Sequence, residues 1–164
     1  MSGNGKHSRR ADDLRVRDFD VVTPEAIRIP PDAPVEQLLL RMGNGTSPAY
    51  VYVIADDGVL IGSVSVAGAF AEFATMCGAA AYDDLVPAAV YQHTSRHVRD
   101  IMENDPSVVK ADTPISELAA LVQRERRSEI PVVDDLGRFV GVVIVRRFIR
   151  QYVSRKERLL STQA

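Results

Sequence analysis

Val98-Arg99-Asp100-Ile101-Met102 and, further along, Ser128-Glu129-Ile130-Pro131-Val132-Val133-Asp134-Asp135-Leu136-Gly137-Arg138-Phe139-Val140-Gly141-Val142-Val143 form the stretch on which the fold turns. Its pieces occur once before in the chain, in the same order. Val16-Arg17-Asp18-Phe19 anticipates Val98-Arg99-Asp100-Ile101. Asp32-Ala33-Pro34-Val35 anticipates Asp112-Thr113-Pro114-Ile115. Asp57-Gly58-Val59-Leu60-Ile61-Gly62 anticipates Leu136-Gly137-Arg138-Phe139-Val140-Gly141. The offset drifts from 82 to 80 to 79 residues, as small loop insertions produce. Self-similarity at a long, nearly fixed period means two copies of one supersecondary unit.

Each copy predicts a short apolar segment, a helix, a hairpin and a second helix. In the first, Pro34 stands where a first-turn proline belongs, because that N–H would lack a helical partner anyway. Val35, Leu38, Leu39 and Met42 then fall at i, i+3, i+4 and i+7, one buried stripe, and Gly43-Asn44-Gly45 ends the helix. In the second, Thr113 is the expected cap, Pro114 opens, and Ile115, Leu118, Ala119 and Val122 form the stripe. Arg124-Glu125-Arg126-Arg127 reads as its exposed end. Ala33 is a poorer cap than Thr113. Tyr50 to Ile54, the turn Ala55-Asp56-Asp57-Gly58, and Val59 to Ser65 read as a hairpin. Ile130 to Val133, Asp134-Asp135-Leu136-Gly137, and Arg138 to Val145 repeat it. Ala26-Ile27-Arg28-Ile29 and Ser107-Val108-Val109-Lys110 read as one further strand per copy. Ala67 to Ala81 reads as an Ala-rich helix. The expected organisation is a disordered tail over 1–11, a first and more degenerate copy over 12–82, a linker over 83–97 and a second copy over 98–160.

Composition bounds the function. Apolar residues make up 46% of 164, enough for a core. Twenty basic and 22 acidic side chains leave a net charge of -2, no general drive toward nucleic acid or an anionic membrane. A single cysteine, Cys77, excludes an internal disulfide framework and fits a reducing compartment. No apolar run reaches the ~20 residues of a spanning helix, and no signal peptide opens the chain. These features predict a soluble, cytoplasmic protein.

With its opening V-x-D-I-M, central I-P-V-V-D and G-x-h-V-G-V-V on the returning strand (h for apolar), the second copy closely resembles a cystathionine-β-synthase (CBS) domain. The likeness covers about residues 98–153 strongly and about 16–75 more weakly. It implies an α+β fold of two β-α-β-β-α units packed about a pseudo-twofold axis with their sheets facing, a Bateman module. Such pairs usually form homodimers. The family binds adenosine nucleotides in clefts between the copies and regulates attached or partner proteins; some members bind magnesium or no known ligand. The expectation is a regulatory module and not an enzyme. Physics supports the pairing: one copy of ~55 residues has too little interior to stand alone, and two can bury each other's apolar faces.

The resemblance also nominates site residues. Nucleotide-binding members end the returning strand G-h-h-T/S-x-x-D, the hydroxyl meeting phosphate and the aspartate the ribose diol. Here the first copy has Ser65 and Gly68 at those positions, and the second has Ile144 and Arg147. Neither copy holds ribose in the family's manner, which weakens the case for AMP, ADP or ATP. The adenine pocket maps to Val108, Val109, Ile130 and Pro131. Arg147 has two readings. It is a clamp for phosphate or carboxylate at a helix N-terminus, or one of a solvated face with Arg146, Arg150, Arg155 and Arg158. Phe148, Ile149, Tyr152, Val153 and Leu159-Leu160 make the opposite stripe, for core or dimer interface. The alternative function is therefore a dimerisation or protein-interaction module with a vestigial cleft.

Other candidates carry less. His93 and His97 share a helical face at metal-ligand spacing but sit in a polar linker. Asp56-Asp57, Asp83-Asp84 and Asp134-Asp135 offer carboxylates to magnesium, yet two of these pairs are ordinary hairpin-turn residues. Arg124, Arg126 and Arg127 have no interleaved aromatics for nucleic acid. Cys77 reads as a small buried apolar group. No phosphate loop and no nucleophile–base arrangement is found in the sequence.

Overall fold

A computed structural model describes residues 14–44, 49–76 and 96–161, with side chains through residue 157. In chain order the elements are a 3-10 turn (Val16–Asp18), β1 (Val22–Thr23), β2 (Arg28–Ile29), α1 (Val35–Gly43), β3 (Tyr50–Ile54), β4 (Leu60–Ser65), α2 (Val66–Met76), α3 (Val98–Ile101), β5 (Glu103–Asn104), α4 (Ile115–Glu125), β6 (Glu129–Val133), β7 (Phe139–Ile144) and α5 (Val145–Ser161). The mixed α+β character read from the sequence is the one observed. The described residues group into two compact units. One holds those up to Thr23 with Ser107–Asp135 and those from Val140 onward; the other holds those of Pro24–Pro106 with Leu136–Phe139. The repeat in sequence and the units in space are different partitions of the chain.

In the second of these units the strand order is β2-β3-β4-β5. β2 runs parallel to β3, with Ile29 opposite Val53, and the β3–β4 hairpin is antiparallel. Its turn closes through Gly58 N–H to Ala55 O at 2.9 Å, with Gly58 at φ +86°, a conformation glycine adopts without steric cost. Ile29, Leu38, Val51, Val53, Val64, Ala69 and Val98 form the buried core, flanked by Leu39 and Met42. The stripe expected on α1 is thus the buried one. In the other unit the order is β1-β7-β6, extended by a parallel bridge from Val109 to Val132. Its core joins Val16, Phe19 and Val21 to Leu118, Leu121, Ile130, Val143 and Phe148.

The repeated motifs bind each other across the copies. Val16 N–H donates to Thr113 O and Arg17 N–H to Ala111 O, at 3.0 and 2.9 Å. The equivalent bonds in the other unit are Val98 N–H to Ala33 O and Arg99 N–H to Pro31 O, also 2.9 and 3.0 Å. Arg17 pairs with Asp112 and Arg99 with Asp32. Asp18 and Asp100 accept from the backbone N–H groups of Arg15 and His97, tying each turn. The V-R-D of each copy therefore docks on the D-x-P turn of the other: valine buried, arginine paired, aspartate closing its own turn. The edge strands follow the same exchange. β1 pairs with β7, and β5 with β4. A Cβ on Gly141 would stand 2.7 Å from Thr23 O, and one on Gly62 would stand 2.5 Å from Met102 Sδ. The repeated glycine of each returning strand admits the visiting segment.

Several local expectations are corrected. Pro34 and Pro114 are the N-cap residues, each carbonyl accepting the first helical bonds. Thr113 does not cap; its hydroxyl accepts Lys110 N–H at 2.8 Å. The N–H groups of Val35 and Ile115 are instead taken by Arg96 O and Leu14 O of the exchanged segments. On α4, Leu121 is buried where Ala119 was expected, because the helix turns its 115/118/121 edge to the core. The end of α4 is not simply exposed. Arg127 is only 8% exposed and pairs with Glu125, which also accepts from the Ser107 hydroxyl. Arg126 ends the helix with φ +53°. Two strands, β1 and β5, were not anticipated. Residues 1–11, Gly45, Cys77, Ala81, Asp83-Asp84 and His93, for which the sequence carries expectations, lie outside the described residues, as do the side chains of Arg158 and Leu159-Leu160.

Candidate functional site

The two repeat-related places where a returning strand gives way to a helix differ in character. In the first unit β7 runs directly into α5. Ile144 is half-buried there, and Arg147, exposed on the first turn of α5, donates from Nη1 to Thr23 Oγ1 at 2.9 Å. Gln151 Nε2 donates to Asp20 O at 2.6 Å, and Arg155 Nη1 to Asp18 O at 2.9 Å. Residues four apart share a helix face, so these three side chains form a seam that holds the segment from Asp18 to Thr23. The Arg155 guanidinium also lies 5.3 Å from the centre of the Phe19 ring, a cation–π distance. Phe19 packs edge-on against Phe148 at 5.2 Å. Arg155 is therefore not part of a merely solvated face, whereas Arg146 and Arg150 are exposed.

The residues expected to line an adenine pocket belong to this same unit. Val109 N–H donates to Pro131 O at 3.0 Å, and Val133 N–H to Val109 O at 2.9 Å. Val109, Ile130 and Pro131 are buried, Val109 and Ile130 within the core. Val108 alone of the four presents its side chain outward, 41% exposed. The nearby Glu125 carboxyl feels opposing influences. Burial raises its pKa, but the Ser107 hydroxyl and the charges of Arg124 and Arg127 outweigh that and hold it below the ordinary carboxylate value.

In the second unit β4 runs into α2. Ser65 Oγ accepts the Gly68 N–H at 3.0 Å, capping the helix from the residue before it. Gly68 is exposed, and a Cβ there would stand 3.3 Å from Ser65 Oγ. The other residues expected to act, Ile144 and Arg147, are in the first unit. A residue that sequence reasoning passed over lies beside Ser65. Ser63 is 1% exposed, and its Oγ has no hydrogen-bond partner among the described residues. Ser63 sits opposite Tyr52 on β3 and Glu103 on β5. A signal for it was present: Gly62-Ser63-Val64-Ser65 repeats as Gly141-Val142-Val143-Ile144, and two hydroxyls replace two apolar groups.

Among the described residues no group of three His, Cys, Asp or Glu could hold a metal ion. His97 Nδ1 lies 3.9 Å from Asp100 Oδ2, within its own turn. No helix among them is long and apolar enough to cross a membrane. Exposed apolar side chains concentrate on α2, at Phe70, Phe73 and Met76, and on α5, at Ile149 and Val153.

Two α+β units built from one repeated motif, each completed by a segment of the other copy, define the class of paired CBS domains. The CBS domain model matches residues 16–71 and 98–154, more than half of the chain. The chain belongs to the CBS domain family. Solved structures agree in fold. One is CBSX2 in complex with AMP, at 22% identity and TM-score 0.68 over 87% of this chain and 98% of that one; another CBSX2 structure comes from Arabidopsis thaliana. A CBS domain-containing protein from Thermotoga maritima is 24% identical with TM-score 0.62, over 84% of this chain and 92% of that one. The cytosolic domain of the Mg2+ channel MgtE in complex with ATP is 24% identical with TM-score 0.60 over 79% of this chain. This chain spans 46% of that one's length. No curated protein matches it.

Proposed function

We propose that this CBS pair is a regulatory, non-catalytic sensor that binds an adenosine nucleotide or another small anion and relays its presence to a partner protein in the cytoplasm. The observation that carries the reading is the strand-to-helix junction at Ser65. A hydroxyl stands at the N-terminus of α2, where backbone N–H groups and the helix dipole favour an anionic oxygen. Gly68 leaves that end open. The structures of CBSX2 with AMP and of MgtE with ATP lend support by analogy of fold. Without an aspartate at Gly68 or Arg147, ribose loses acceptors worth ~0.5–1.5 kcal/mol each, so nucleotide binding is weaker than in members that retain it. Thermal unfolding with AMP, ADP, ATP, sulfate and Mg2+ tests this. A ligand at 100 times its dissociation constant adds ~2.7 kcal/mol of stability. No response to any of them refutes the sensor reading.

The exposed apolar side chains favour a second reading, a homodimerisation or protein-interaction module with a vestigial cleft. Phe70, at 67% exposure, and Phe73 have ring centres 6.0 Å apart on one face of α2. Light scattering that finds only monomer at micromolar concentration counts against the homodimer.

A further inference from the structure

We propose that the outward face of α5 is a docking surface for an acidic amphipathic helix of a partner protein, whose carboxylates meet Arg146, Arg150 and Lys156 while its apolar side chains cover Ile149 and Val153. The inference rests on the partner contact in the reading above, but not on the identity of the ligand.

The two sides of α5 carry different groups. Phe148 and Tyr152 pack with the first unit's core, and Arg147, Gln151 and Arg155 hold the segment from Asp18 to Thr23. Arg146, Ile149, Arg150, Val153 and Lys156 follow at i, i+3, i+4, i+7 and i+10, one face of the helix, and all five are exposed. From Arg146 to Lys156 the face runs about 15 Å. Arg147 and Arg155 have structural partners, whereas Arg146, Arg150 and Lys156 have none among the described residues. Their placement opposes folding. Val145–Lys156 carries five cations and no acid, the first carboxylate being Glu157. Arg146 stands in the first turn, where the helix dipole disfavours positive charge. Arg146 and Arg150 lie four apart, a like-charge pair that weakens a helix. Carboxylates brought from outside relieve both effects.

The aliphatic pair among the cations narrows the choice of partner. A contact with an apolar centre and a charged rim is the ordinary anatomy of a protein interface. No aromatic side chain is exposed on this face for bases to stack on. Two aliphatic side chains make too narrow a surface to lie in a bilayer. A twofold contact with a second copy would set the unpaired cations of both chains together, which like-charge repulsion disfavours. A helix packed about 8–10 Å away can present carboxylates and apolar anchors at the same 3–4 residue spacing.

The probes are a synthetic amphipathic peptide with leucines flanked by glutamates on one face, and the same peptide with lysine for every glutamate. Duplex DNA and phosphatidylserine vesicles are tested beside them. Binding to the full chain is followed by fluorescence anisotropy and methyl NMR. The glutamate peptide is expected to bind, to weaken as salt rises, and to shift the Ile149 and Val153 methyl signals. Arg150→Glu is expected to weaken it about tenfold or more, and Ile149→Ala about fivefold. Arg146→Glu is expected to weaken it while raising the melting temperature of the free protein, since a first-turn carboxylate suits the dipole and pairs with Arg150. A lowered melting temperature in Arg146→Glu overturns the inference, because Arg146 would then serve the fold. Absence of glutamate-peptide binding overturns it, as does equal binding of the lysine peptide or tighter binding of DNA or vesicles. Light scattering in which Arg150→Glu turns a dimer into a monomer also overturns it, by giving the face to a second copy. Peptide binding without any response to nucleotide, sulfate or Mg2+ refutes the sensor reading and leaves this inference standing; a ligand response without peptide binding does the reverse.

Discussion

Val98→Ala tests what holds the exchanged segments in place. Val98 is 0% exposed and sits in the second unit's core with Ile29, Leu38 and Val51. Its backbone N–H bond to Ala33 O survives the substitution, so the change removes burial and packing only. Two carbons are lost, at ~0.8 kcal/mol each by transfer. The cavity left among branched side chains adds to that, for a total of about 2–3 kcal/mol. The neighbouring Arg99 pairs with Asp32, but the two side chains are 53% and 70% exposed, so Arg99→Ala should cost only ~0–1 kcal/mol. Urea unfolding separates the two: the midpoint should fall much further for Val98→Ala, with an unchanged slope. Val16→Ala should behave likewise, since Val16 is equally buried in the first unit. A larger loss in Arg99→Ala than in Val98→Ala would refute the argument, because the ion pair and not the buried valine would then anchor the segment.

Arg126 holds φ +53° at the end of α4, where an L side chain costs ~1–2 kcal/mol and glycine almost nothing. After glycine's greater unfolded-state freedom is subtracted, Arg126→Gly should stabilise by ~0.5–1 kcal/mol and raise the melting temperature by about 1–4 °C; a fall would contradict the backbone argument. Glu125 has its pKa lowered in the fold, so its contribution is complete above the ordinary carboxyl value of 4.5 and is lost as pH falls through the lowered one. The melting-temperature gap between wild type and Glu125→Gln should accordingly be widest near neutral pH and close in acid; a constant gap would mean that charge is not what Glu125 contributes.

Local chemistry made the hairpins and the first helix legible. Gly58 and Gly137 announced turns that do need positive φ, and the 35/38/39/42 spacing found the buried side of α1. The repeat itself was plain. What the repeat is for was not, because Val16 and Thr113 are far apart in sequence and no local pattern says that V-R-D and D-x-P are each other's partners. Two-residue edge strands such as β5 leave no periodicity to read. Arg127 looked like one of a basic run, and only the fold shows it buried and paired with Glu125, whose carboxylate also accepts from the Ser107 hydroxyl. At the candidate site, likeness nominated Ser65. It did not nominate Ser63, whose meaning lies in a cross-strand register that places it between Tyr52 and Glu103.

The crossing of opening segments has a consequence for how the protein is made. Arg15 and the carbonyl of Asp112 that its side chain meets are 97 residues apart in the chain. At ~5–20 residues per second of synthesis, the early segment waits about 5–20 s for its dock to be translated. During that interval Val16, Phe19 and Val21, all core residues in the finished fold, have no surface to cover them. The piece that leaves the ribosome early is thus among the last to find its place. A pause that lengthens the delay lengthens the exposure of that apolar run to chaperones and to neighbouring nascent chains.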